Sequence, residues 1–196
     1  MLKLFTLFVT IALLTAPAAA ASPVKARVLS GIGIVLLNSE LAAKPSPLAI
    51  FREPSLGRIT EIDINSLPAL AQAITCPDGT IPVIVTSKKS GWYRIIYDDG
   101  EREGWIKGRS SHQFYRWEEL LRNRTASLIS GLRKEFYLLY KTPDSSSDSI
   151  FTLGKGSRVT ALEVEGDWIR VFTDSRMEGW LRWRDENERL VIAITL

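Results

Sequence analysis

Gly166-Asp167-Trp168-Ile169-Arg170-Val171-Phe172 is followed, after a short polar turn, by Glu178-Gly179-Trp180-Leu181. An earlier copy has the same order: Gly91-Trp92-Tyr93-Arg94-Ile95-Ile96-Tyr97, the turn Asp98-Asp99-Gly100, then Glu103-Gly104-Trp105-Ile106. In both, short runs of β-branched and aromatic residues flank turn-forming Asp, Gly or Ser, which is the signature of a β-hairpin. Four of the six tryptophans lie in these two hairpins. An internal repeat of this kind points to two similar structural units.

Upstream, Lys3 precedes the uncharged apolar run Leu4–Leu14, and Pro17-Ala18-Ala19-Ala20-Ala21 follows it. A positive start, a short apolar core and small residues are the three parts of a secretory signal, expected to span residues 1–20. An uncleaved anchor is the alternative, although the apolar run is short for a membrane span. Cleavage removes Lys3 and no acid, so 24 basic residues against 22 acidic ones leave a charge of +2. Those charges are interspersed rather than gathered, which gives a nucleic-acid interface no support. Cys76 is the only cysteine, so no internal disulfide can brace the chain. Cohesion must come from apolar cores, and the ~175 residues left after processing suffice for two small ones.

Taken in order, Gly31-Ile32-Gly33-Ile34-Val35-Leu36-Leu37 reads as a strand of the first unit; Gly31-x-Gly33 lacks the third glycine of a dinucleotide site. Lys44-Pro45-Ser46-Pro47 breaks it. Leu48–Ser55 reads as a strand running into a proline turn, and Arg58–Ile62 as another. Asn65–Ile74 reads as a brief helical insert, with Ser66 as cap and Pro68 in the first turn. Ser110–Glu135 carries Trp117, Leu120, Leu121, Leu128 and Leu132 at roughly helical spacing, interrupted at Asn123-Arg124-Thr125, and reads as a helical linker. The second repeat then offers five short strands within about 50 residues, as a small barrel would. Leu190–Leu196 is expected to be a buried closing strand.

Thr152-Leu153-Gly154-Lys155-Gly156-Ser157-Arg158-Val159-Thr160-Ala161-Leu162, then Gly166-Asp167-Trp168 and Gly179-Trp180-Leu181, resembles the bacterial Src-homology-3-like (SH3-like) domain family over Phe136 to about Arg184. The first repeat resembles it through Ile50–Ser55 and the Trp92–Trp105 hairpin, but lacks the Lys-Gly turn. The fold class expected on this basis is mainly β. It comprises an N-terminal SH3-like domain with a helical insert (21–109), a helical linker (110–135) and a C-terminal SH3-like domain (136–196). The resemblance implies a non-catalytic recognition module, with peptidoglycan or an envelope protein as partner and a periplasmic or secreted location. By the same resemblance Trp92, Trp105, Trp168 and Trp180 line ligand grooves, and Tyr140 stands near another groove position.

Hairpin geometry bears on this directly. A two-residue turn at Asp99-Gly100 sets Arg94 opposite Trp105 and Lys107 opposite Trp92, so the two indoles share a face. A two-residue turn at Asp174-Ser175 would separate Trp168 from Trp180, so a three-residue loop or a bulge is expected there. Two roles are open to such indoles: stacking on a ligand, or capping barrels too thin to bury a core otherwise.

No catalytic constellation stands out. His112 is the only histidine and pairs with Cys76 as the sole candidate base and nucleophile. Asp98-Asp99 and Glu118-Glu119 fit turn and helix surface better than glycosidase carboxylates. No metal site, no cofactor and no membrane span after processing are expected.

Overall fold

A computed structural model describes residues 27–38, 47–70, 73–77 and 79–196. The expected signal peptide (1–20) lies outside the described residues, as does most of the proline break at 44–47. Among the described residues, fifteen strands and one α-helix follow in order. The first half contains β1 (Gly33–Asn38), β2 (Leu48–Glu53), β3 (Leu56–Ile62), β4 (Ile74–Thr75), β5 (Thr80–Lys89), β6 (Trp92–Ile96), β7 (Glu103–Lys107) and β8 (Gln113–Arg116). Helix α1 (Trp117–Leu121) leads into β9 (Thr125–Leu128), β10 (Leu138–Tyr140), β11 (Ser149–Thr152), β12 (Arg158–Glu165), β13 (Trp168–Thr173), β14 (Glu178–Arg182) and β15 (Ile192–Thr195).

The chain is mainly β, in two sheets. The seven-stranded sheet has the order β3-β2-β7-β6-β5-β1-β8, and the eight-stranded one β11-β10-β14-β13-β12-β9-β15-β4. Strand for strand these are the same order, with β1 matching β9 and β8 matching β15. The repeat visible in the hairpins therefore extends over seven strands per copy. Pairing is antiparallel throughout, except that β4 leaves the first half to lie parallel to β15 at the edge of the second sheet.

Two expected helical segments are corrected. Residues 110–135 are not a helical linker: β8 closes the first sheet against β1, and β9 belongs to the second. Trp117, Leu120 and Leu121 are buried on α1 as their spacing requires, but the helix ends after five residues and Asn123 turns the chain at φ 58°. Leu128 belongs instead to a strand in which Ala126 and Leu128 alternate inward. Among the described residues the insert after residue 63 contains a 3-10 turn, Ile64–Ser66, capped by Asp63, whose carboxylate accepts from the Asn65 N–H at 2.8 Å. Leu67 stays extended (ψ 152°), because the ring of Pro68 disfavours the helical conformation in the residue before it.

Two cores form. Val35, Leu37, Ile50, Val85, Ile95 and Ile106 fill the first copy. The larger core is shared: Ile34, Ile84 and Ile96 of the first sheet meet Phe136, Leu139, Ile169, Leu181 and Leu190 of the second. Strand β1 is thus buried on both faces, Val35 and Leu37 inward and Ile34 towards the other copy, which explains an apolar run without alternation. Trp117 and Trp183, each 2% exposed, meet in the shared core at 5.3 Å between ring centres. Their indole N–H groups donate to the Ser30 carbonyl (2.8 Å) and the Gly166 carbonyl (2.9 Å), so neither leaves an unpaired donor.

Polar ties run along one edge of this junction. Residues 28–30 pair with 188–190, and buried Asp185 accepts from Arg27 at 2.5 Å and from the Asn187 and Arg189 N–H groups at 2.9 Å. Arg189 in turn grips Glu101, in the first copy's hairpin loop, with both terminal nitrogens at 2.7 and 3.1 Å. The expected closing strand is β15, with Ile192 and Ile194 buried.

The repeated Glu-Gly-Trp has a packing reason. A Cβ on Gly104 would lie 2.3 Å from Ile50 Cγ2, and one on Gly179 3.0 Å from Ile150 Cδ1 and 3.1 Å from the Tyr140 carbonyl. Glycine lets β7 and β14 close onto β2 and β10. Gly104→Ala is expected to cost about 1–3 kcal/mol by overpacking, whereas Gly154→Ala, whose nearest neighbour is Ser157 Oγ at 3.6 Å, should stay within about 0.5 kcal/mol. Urea unfolding of the two variants checks the contrast. By the same measurement Trp183→Ala, which empties the junction, should cost about 3–5 kcal/mol.

Candidate functional site

The strand pair β5/β6 turns through Ser90 (φ 44°) and Gly91 (φ 78°), both left-handed, the geometry of a tight two-residue hairpin turn. Lys89 therefore stands directly opposite Trp92. The equivalent turn in the second copy is Gly166-Asp167, with Gly166 at φ 55°, and it sets Glu165 opposite Trp168. These two tryptophans begin β6 and β13, each in the middle of its sheet.

Across the next pairing, Trp92 faces Lys107 and Arg94 faces Trp105, the register expected from the sequence. The connection is longer than a two-residue turn: Asp98–Glu101 form a four-residue loop closed by the Tyr97 N–H on the Arg102 carbonyl (3.0 Å). Asp98 organises it by accepting from the Arg102 and Gly100 N–H groups at 2.9 and 3.1 Å, and its carboxyl pKa is lowered, first by the Arg102 N–H. In the second copy Trp168 faces Arg182 and Arg170 faces Trp180. Of the three-residue loop or bulge expected from the shorter spacing, the loop is present, Asp174–Arg176, with Arg176 at φ 60° and the Thr173 N–H on the Met177 carbonyl (2.9 Å). Trp168 and Trp180 thereby share a face.

Each of these faces gains a third ring. Phe51 pairs across from Trp105 and meets Trp92 edge-on, 5.4 Å between centres at 87°. Tyr140 pairs across from Trp180 and meets Trp168 edge-on at 5.3 Å and 84°. Edge-to-face contact places the positive rim of one ring on the negative face of another and holds both in place. Trp105 and Tyr140, each 7% exposed, form the floors. Trp92, Trp168 and Trp180 are half-buried and present surface. All five residues named from the sequence thus lie in the two triads. Phe51 was missed as a site residue, although its position in Ile50-Phe51-Arg52 matches that of Tyr140.

Charges line both faces. Arg94 pairs with Glu103 at 2.9 Å. Arg170 lies between Glu163 (3.0 Å) and Glu178 (2.7 Å), and its pKa is raised, first by the hydrogen bond to Glu178. The Arg182 guanidinium sits 5.8 Å from the Trp168 ring centre and 3.7 Å from Asp167.

The nucleophile–base pair finds separate settings. Cys76 follows β4 at the edge of the second sheet, half-buried, and burial pushes its thiol pKa up, away from the reactive thiolate. His112 precedes β8 in the first sheet; desolvation, then Arg109, lowers its pKa, and its Nδ1 has no hydrogen-bond partner. Among the described residues no group of three His, Cys, Asp or Glu side chains could hold a metal ion. A cleft of about 340 Å³ is lined by residues of the first half of the chain, Leu29, Leu70, Ile84 and Ile96 with Asp99 and Glu101, and includes none of the aromatic triads.

Comparison with known proteins adds one family. Residues 139–185 match the bacterial SH3 domain. No curated protein matches the chain. Among solved structures, NlpC1 and NlpC2 of Trichomonas vaginalis are similar at 12% and 14% identity, with TM-scores of 0.31 and 0.32. The matches cover 90% and 81% of this chain but 52% and 47% of those, so the chain spans about half their length. The matched segment 139–185 runs from Leu139 on β10 through the Tyr140–Trp168–Trp180 triad to Asp185, and is a bacterial SH3 domain.

Proposed function

We propose that this chain is a non-catalytic, exported binding protein of the bacterial cell envelope, recognising peptidoglycan or another envelope component through tandem SH3-like copies. The observation that carries the reading is the repeated triad: a half-exposed tryptophan held edge-on by a second ring, at the same register in both sheets. Each triad leaves its tryptophan partly uncovered, as stacking on a ligand requires. The matched strand order supports treating the first copy as a second SH3-like barrel. Bacterial SH3 domains often bind the cell wall, and the N-terminal secretory pattern supports a periplasmic or secreted location.

In this mechanism the indoles stack on the faces of sugar rings or on peptide groups while flanking polar side chains fix orientation. Each face binds weakly. The shared core holds the two faces at a fixed separation, so one polymer that spans both gains avidity without new contacts. A polypeptide partner within the envelope is the second reading, favoured by Phe172, which is 42% exposed and follows Trp168 and Arg170 on the same face.

Co-sedimentation of residues 21–196 with purified peptidoglycan sacculi tests the first reading. The wild type should pellet, and Trp92→Ala or Trp168→Ala should each lose about 2 kcal/mol or more of binding if its face is a hot spot. A wild type that stays in the supernatant across salt and pH sinks the wall reading and leaves the polypeptide partner.

A further inference from the structure

The two copies act as controls for each other, because their faces differ at few matched positions. Trp92 is flanked by Lys89 on one neighbouring strand and Lys107 on the other. Trp168 is flanked by Glu165 and Arg182. Directly opposed residues of an antiparallel pair project to one face about 4.5–5.5 Å apart, so each tryptophan lies between its two charges. Lys107 and Arg182 keep the same sign. Lys89 and Glu165 reverse it.

The next matched position moves the same way. Ser87 stands opposite Arg94, and Glu163 opposite Arg170. Among the described residues Arg94 has one carboxylate partner, Glu103 at 2.9 Å, while Arg170 is gripped by two. Around Trp92, then, Lys89, Arg94 and Lys107 outweigh Glu103. Around Trp168, Glu163, Glu165 and Glu178 outweigh Arg170 and Arg182. Lys89 and Lys107 are exposed, and among the described residues neither joins an ion pair, so both ammonium groups are free for an incoming anion. Strand spacing places their backbones about 10 Å apart, within reach of one carboxylate lying over the indole. In the second copy Arg182 is turned towards Asp167, and Glu165 beside Trp168 repels an incoming carboxylate.

We propose that the two faces are divided by charge. The Trp92 face takes a carboxylate-bearing cell-wall fragment, its carboxylate between Lys89 and Lys107 and its apolar part on the indole. Glu165 bars that carboxylate from the Trp168 face. This inference rests on the envelope-binding reading and names the group on the ligand that selects one face over the other.

The test is a ¹H–¹⁵N titration of residues 21–196, following the indole N–H signals. The probes are a soluble muropeptide with free stem-peptide carboxylates and the same fragment with those carboxylates amidated. The free form should shift the Trp92 signal and bind about fivefold more tightly than the amidated form, a preference that shrinks at high salt. Lys89→Glu should abolish the preference, and Glu165→Lys should make Trp168 respond to the free form. Unchanged signals from buried Trp117 and Trp183 report that each variant is folded. Equal binding of the two forms, or a response at Trp168 instead of Trp92 in the wild type, overturns the division by charge and leaves envelope binding standing. Failure of both forms to bind overturns the division by charge and, with it, the cell-wall reading, and leaves the polypeptide partner.

Discussion

Everything in this molecule depends on the burial of Ile34, Ile84 and Ile96 against the second copy, with Trp117 and Trp183 in contact at the centre of the junction. Each copy taken alone is a small curved sheet with one apolar interior, and units of that size bury too little surface to be robust. Joining them turns the outer faces of β1 and β5 into interior. No disulfide is available to do this job, since the chain has one cysteine. The apolar junction replaces it.

The junction also divides the labour of the tryptophans. Two of the six are interior and satisfy their N–H groups on backbone carbonyls. The other four belong to the hairpins, where one ring of the first copy is buried as floor and the rest keep part of their surface. A ring held on one side by an aromatic neighbour loses little conformational freedom when a ligand covers the other. Preorganisation of this kind supports the proposed binding role of the two faces.

Much of this was legible from the chain. The hairpin copies, the shared face of Trp92 and Trp105, and the three-residue loop after β13 follow from counting residues between glycines and tryptophans, because register has a strict period of two. What escaped were features set by distant partners. Leu128 sits at helical spacing from Leu121, but pairing with β15 makes it a strand residue. Asn65–Ile74 has helix-forming residues, but Pro68 acts on Leu67, and Ile74 is drawn into the other sheet. The role of Phe51 was hidden because nothing local marks it; only alignment with Tyr140 through the strand order does. Trp117 and Trp183 could be counted from the sequence but not placed, since their contact spans the two copies.

The edge formed by residues 27–30 and 188–190 carries a consequence for how the molecule is made. Ser30 finds its partner at Glu188, and Ile74 waits for Ile194. Contacts between residues so far apart in sequence raise the contact order and slow folding, because loop closure must be met before any pairing rewards it. A ribosome releasing the chain from its N-terminus therefore leaves Ser30 and β4 without their partners until the second copy is almost complete. Closure belongs to the whole polypeptide, not to either copy as it emerges.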